Sequence, residues 1–95
     1  MLVKVKSYAI LREIIGKESL RIIVDKNATV LTVLEDLVDR YGERLEKEIF
    51  NEAKTTLREY VAILLNGKNI QYINGLDTQL NHEDQLVILP ILRGG

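Results

Sequence analysis

Between residues 30 and 41 the apolar side chains Val30, Val33, Leu34, Leu37, Val38 and Tyr41 recur at i, i+3, i+4 and i+7, with strand-like runs before and after. Glu35, Asp36, Asp39 and Arg40 fall on the remaining faces, so the stripe is uninterrupted. Thr29 is placed to cap this helix and Gly42 to stop it. A helix with one apolar stripe has to bury it against another element, and the flanking strands must supply that surface.

Residues 2 to 8 alternate, putting Val3 and Val5 on one face of a strand and Lys4 and Lys6 on the other. Ala9 to Ile15 reads as a short helical turn closed by Gly16, and Leu20 to Val24 as a second, β-branched strand completing an opening hairpin. In the charged stretch Glu43 to Glu59, Leu45, Ile49, Ala53 and Leu57 recur every four residues, which predicts a second, more peripheral helix with a frayed end. Tyr60 to Leu65 is a third strand. Asn66-Gly67 turns tightly into a short strand near Asn69 to Tyr72. Leu76 to Leu80 forms one loop turn before a final strand, Leu86 to Leu92. The order predicts an α+β fold of two layers, a helix crossing one face of a mixed sheet, without internal repeats.

Composition narrows the chemistry. Ninety-five residues, 46% hydrophobic and 28% charged, suit one domain with a single core. A formal net charge of -1 with interspersed signs lacks the concentrated basic face a nucleic-acid binder needs, although it leaves room for a local patch. The absence of cysteine removes disulfides, thiolate metal sites, cysteine nucleophiles and persulfide carriage on a side chain. Leu2 to Lys6 offers no apolar signal region, and no run is long enough to cross a bilayer, so the expected address is the cytoplasm, with no membrane partner.

Catalytic constellations are missing too. His82 lies in the polar turn Asn81-His82-Glu83-Asp84, with no nucleophile or second histidine to make it a base or a metal ligand. The helical carboxylates are interleaved with basic residues, as on a solvated face, and Asn66-Gly67 and Gly75 sit in no phosphate-binding pattern. The chain is therefore expected not to be an enzyme by itself, but a substrate or carrier on which partners act.

The ending Leu92-Arg93-Gly94-Gly95 fits that role. With glycine at roughly 7% of residues, two in succession at the end arise by chance in about one chain in 200. Glycine places no Cβ beside the reacting carbonyl and allows the tail into a narrow channel. Activation of its carboxylate, as a mixed anhydride with AMP, would need another protein to supply ATP. Ordering each tail residue costs roughly 1 to 2 kcal/mol, so a folded surface must contribute docking energy. On the last strand Leu86 and Ile88 face one side and Val87 and Leu89 the other, all apolar. With Ile63 and Leu65 inside, Leu64, Val87 and Leu89 share the outer face with the stems of Lys4 and Lys6. Either this is a partner surface or residues 43 to 59 cover it.

Along most of its length the chain resembles the ubiquitin-like β-grasp sulfur carriers, especially the small (MoaD-like) subunit of molybdopterin synthase and the related archaeal small modifier proteins. The resemblance is carried by Val5 to Glu13 followed by Gly16, Ala28-Thr29-Val30, Asn66-Gly67, Leu76 to Leu80 followed by Asp84 and Pro90, and Gly94-Gly95. It implies a β-grasp domain over residues 1–91, with a sheet of about five strands, and a flexible tail over 92–95. It further implies that a ubiquitin-activating-type enzyme uses ATP to adenylate Gly95, which then becomes a thiocarboxylate, with no permanently bound cofactor or metal. Arg93, Gly94, Leu89, Val87 and Leu64 are the implied partner contacts. The partners are that enzyme, a sulfur donor and the large subunit of molybdopterin synthase, into which the tail inserts. Two departures stand out: Pro90 is followed by Ile91-Leu92-Arg93, closer to ubiquitin's Leu-Arg-Gly-Gly than to the Pro-Pro-Val-x-Gly-Gly type of tail, and segment 43 to 59 is longer than in thiamine-pathway carriers. The leading expectation is sulfur carriage in molybdenum cofactor biosynthesis. The alternatives are a modifier joined to target-protein lysines and a noncovalent adaptor.

Overall fold

The computed structural model describes residues 1–91. Its elements follow in the order β1 (Leu2–Ser7), α1 (Ala9–Ile15), β2 (Ser19–Ile23), α2 (Val30–Tyr41), α3 (Glu43–Ile49), β3 (Val61–Leu65), β4 (Lys68–Asn69) and β5 (Gln85–Pro90). The strands form one sheet in the order β2-β1-β5-β3-β4. β5 lies at its centre, parallel to β1 and antiparallel to β3. β1 and β2 pair antiparallel with α1 in the connection between them, and a hairpin joins β3 to β4.

Alternation assigns the two faces of the sheet. Val3, Val5 and Ser7 of β1, Ile22 of β2, Ile63 of β3, and Leu86 and Ile88 of β5 are buried on the inner face. Against them α2 sets Val30, Val33, Leu34 and Leu37, with Val38 and Tyr41 packed at the margin. Thr29 caps this helix as the sequence predicts. Its hydroxyl accepts the Thr32 N–H at 3.3 Å, and Thr32 Oγ1 accepts the Thr29 N–H at 3.1 Å. Each amide thus spared would otherwise lack an intrahelical acceptor.

Three expectations need correction. The helix after Gly42 ends at Ile49, well before Glu59, and it belongs to the core: Leu45 and Ile49 are fully buried, and α3 packs on α1 and α2. At Phe50 the backbone becomes extended (φ -99°, ψ 152°) and bridges to Leu57. Asn51 closes the intervening turn, its side-chain carbonyl accepting the Thr55 and Thr56 N–H groups at 3.0 and 3.4 Å. Asparagine here offers the backbone an alternative to the helix. The four-residue spacing therefore continues through Ala53 without a helix, and Ala53 is exposed. The strand near Asn69 to Tyr72 is likewise confined to Lys68–Asn69, since Asn69 Oδ1 accepts the Gln71 N–H at 2.9 Å and starts a 3₁₀ turn over Ile70–Tyr72. The last strand begins at Gln85 and its described part ends at Pro90.

The turn at Asn66-Gly67 has positive φ at both residues, 50° and 89°. This is the two-residue hairpin geometry whose twist matches the flanking strands. Among the described residues no helix is long and apolar enough to cross a membrane.

Candidate functional site

β3 and β5 meet with Leu64 opposite Val87 and Ala62 opposite Leu89. Residues opposed in register share a face, so Leu64, Val87 and Leu89 stand together on the side of the sheet away from the helices. They line one open groove with Tyr8 and Pro90. None of the lining comes from residues 43 to 59, which lie in the helical layer and beyond it. The alternative in which that segment covers the patch is excluded. Leu64, Val87 and Leu89 remain half-buried through contact with one another and their strand neighbours.

Two further residues complete the groove. Tyr8, between β1 and α1, is 41% exposed, and the Arg12 guanidinium carbon lies 5.3 Å from its ring centroid. That cation–π contact orients the ring, and Arg12 is itself held by the Ser7 carbonyl, which accepts its Nε–H at 3.3 Å. Ala9, next in the chain, has φ 54°, a left-handed conformation that side-chain-bearing residues seldom adopt. Pro90 closes the groove at the end of β5. Beyond it the Ile91 N–H donates to the Tyr60 carbonyl at 2.7 Å, which fixes where the chain leaves the sheet. Arg93, Gly94 and Gly95 lie outside the described residues.

A buried carboxylate anchors the opposite end of β5. Asp84, 8% exposed, accepts from Asn66 Nδ2 at 2.9 Å through one oxygen and from the Asn81 N–H at 2.7 Å through the other. Asn66 Oδ1 in turn accepts the Gln85 N–H at 2.9 Å, and the Lys4 N–H donates to the Asp84 carbonyl at 2.9 Å. Turn, strand β1 and the entry to β5 are thereby tied at one point, which sets the register that brings Leu64 beside Val87. In the sequence Asp84 is one of two successive acids in a polar turn, and nothing local marks it as the buried one.

His82 is a solvent-exposed turn residue, as expected, and it also has a structural role. Its Nδ1 accepts the Leu2 N–H at 3.0 Å and secures the start of β1. The mixed-charge cleft beside α3 contains an ion pair between Lys54 Nζ and Glu46 Oε1 at 2.9 Å. The hydrogen bond to Glu46, together with its charge, raises the Lys54 pKa, and the side chain is exposed. This cleft lies on the helical side and has no part in the groove.

Comparison with known proteins places this geometry among relatives. The ThiS family's sequence profile matches residues 5–95. Small archaeal modifier protein 3 of Haloferax volcanii is 28% identical over 95 residues, the whole of both chains. The solution structure of small archaeal modifier protein 1 from Methanosarcina acetivorans superposes with a TM-score of 0.84 at 36% identity, covering 99% of this chain and 96% of that one. A Pyrococcus furiosus protein described as molybdopterin converting factor, subunit 1 superposes at 0.78 with 26% identity, covering 97% of this chain and 99% of that one. The sheet order and crossing helix are those of the ubiquitin-like β-grasp fold.

Proposed function

The chain belongs to the ThiS family of ubiquitin-like sulfur carriers and modifiers, and from that we propose that its C-terminal carboxylate is the group on which partners act. A Gly95 carboxylate oxygen attacks the α-phosphorus of ATP on an activating enzyme, forming the acyl adenylate and releasing pyrophosphate. A sulfide-level donor then displaces AMP from the acyl carbon and leaves a terminal thiocarboxylate. Neither step uses a catalytic side chain of this protein. The role of the folded part is to be gripped while Arg93, Gly94 and Gly95 enter a narrow site.

The observation that supports this reading best is the apolar groove of Tyr8, Leu64, Val87, Leu89 and Pro90 on the strand that leads into Gly94-Gly95. A grip on β5 delivers the tail with few residues left to order. The sulfur acceptor we favour is a precursor held by a molybdopterin synthase large subunit, the chain acting as the small subunit; the Pyrococcus furiosus relative supports that assignment. A second reading, a protein modifier, is favoured by the Leu92-Arg93-Gly94-Gly95 ending and by the name of the Haloferax volcanii relative. In that case a lysine amine displaces AMP and forms an isopeptide bond.

Intact mass of the protein from its own cell tests both readings. Sulfur in place of one oxygen at the terminus supports the carrier. Lysines bearing a Gly94-Gly95 remnant after trypsin cleavage at Arg93 support the modifier. Deleting Gly94-Gly95 should abolish both signals, and sulfur transfer that survives this deletion would overturn the proposal.

A further inference from the structure

The charges of this molecule are sorted by layer. None of the five strands contains Asp or Glu, yet they hold Lys4, Lys6, Arg21 and Lys68. The helices α2 and α3 contain Glu35, Asp36, Asp39, Glu43, Glu46 and Glu48. A net charge of -1 therefore conceals a cationic sheet backed by an acidic helical layer. Register locates the sheet cations: Lys4 is paired with Arg21 across β1 and β2, and Lys6 lies beside Val87 across β1 and β5. Lys6 thus flanks the groove on its β1 side, one strand spacing of about 5 Å from the groove wall, and Lys4, beside Gln85, and Arg21 on β2 extend the basic strip away from it. Three basic residues of the helical side have carboxylate partners, Arg40 with Asp36, Lys47 with Glu43 and Lys54 with Glu46, while Arg44 of α3 has none among the described residues. Lys4, Lys6 and Arg21 have no ion pair among the described residues.

Resting on the reading that the tail is enzymatically activated, we propose that the activating enzyme grips the outer face with an apolar side chain in the groove. Carboxylates of the enzyme stand opposite Lys4, Lys6 and Arg21. An apolar surface alone would accept many partners. Three unpaired cations in a strip running from it reject a partner with a basic rim and speed encounter with an acidic one, because like charges across an interface are costly and opposite charges steer association. The acidic helical layer adds to this selection, since it repels the same partner from the wrong side.

The test is ATP–pyrophosphate exchange, stimulated by the full chain, on the adenylating enzyme purified from the same cell. Wild type is compared with K4E/K6E/R21E, with L89D and with R40E/K47E/K54E, which changes net charge equally on the helical side. The outer-face triple should raise the half-saturating concentration about tenfold or more at low salt, and the difference should shrink in high KCl. The helical-side triple should leave it unchanged. Circular dichroism melts verify that each variant is folded, and K6A alone supplies a milder step in the same direction. Equal effects of the two triples, or no effect of the outer-face triple while L89D weakens stimulation, would overturn the acidic-partner inference and leave the activation reading standing. Absence of exchange with wild type would overturn both. Salt-sensitive self-association by sedimentation, lost in the outer-face triple without a change in exchange, would assign the face to a second copy instead.

Discussion

Ile88 and Leu89 are adjacent and both apolar, yet the pleat sends Ile88 into the core and leaves Leu89 on the outer groove. Leu89→Asp should therefore leave the melting transition in place and weaken docking to the activating enzyme. Ile88→Asp should abolish cooperative unfolding, because an unpaired carboxylate would be forced into an apolar interior. Far-ultraviolet circular dichroism read beside the exchange assay separates the two. Asp84→Ala should cost about 1.5–3 kcal/mol by urea denaturation, because it strands the Asn66 amide and the Asn81 N–H, while Asp84→Asn should cost less by keeping one acceptor. The period-two patterns of β3 and β5 made Leu64, Val87 and Leu89 legible in the sequence. The positions of Tyr8 and Arg21 and the anchoring role of Asp84 were not, since they depend on strand register and on turns that no local pattern encodes.

Strands β1, β2 and β3 and helix α2 were readable as elements because pattern, cap and turn chemistry agreed within each. α3 was readable only in its first half. Its apolar spacing extends to Leu57, but Asn51 captures the backbone amides of Thr55 and Thr56 and converts the second half into a turn. Its placement is hidden for a different reason: a helix rich in charge looks peripheral even when two side chains, Leu45 and Ile49, are enough to pack it against α1 and α2. Leu45→Ala should accordingly cost about 2–5 kcal/mol, measured by denaturant unfolding, whereas a peripheral helix would lose only a few tenths.

At the scale of the whole molecule, stability resides between the sheet and the helices and recognition is proposed on the opposite face. Leu45→Ala and Leu89→Asp should then act independently, their effects on unfolding adding to within about 0.5 kcal/mol in the double variant, and only Leu89→Asp should change the half-saturating concentration. Composition could not disclose this division, because the opposite charges of the two layers nearly cancel in the sum. The central strand has one more consequence. β5 runs parallel to β1, so a pull on the chain beyond Ile91 while Met1 is held drags the two strands lengthwise past each other. The hydrogen bonds between them then share the load in shear instead of opening one after another. A protein loaded between its first residue and its tail is thus mechanically stiff along that direction.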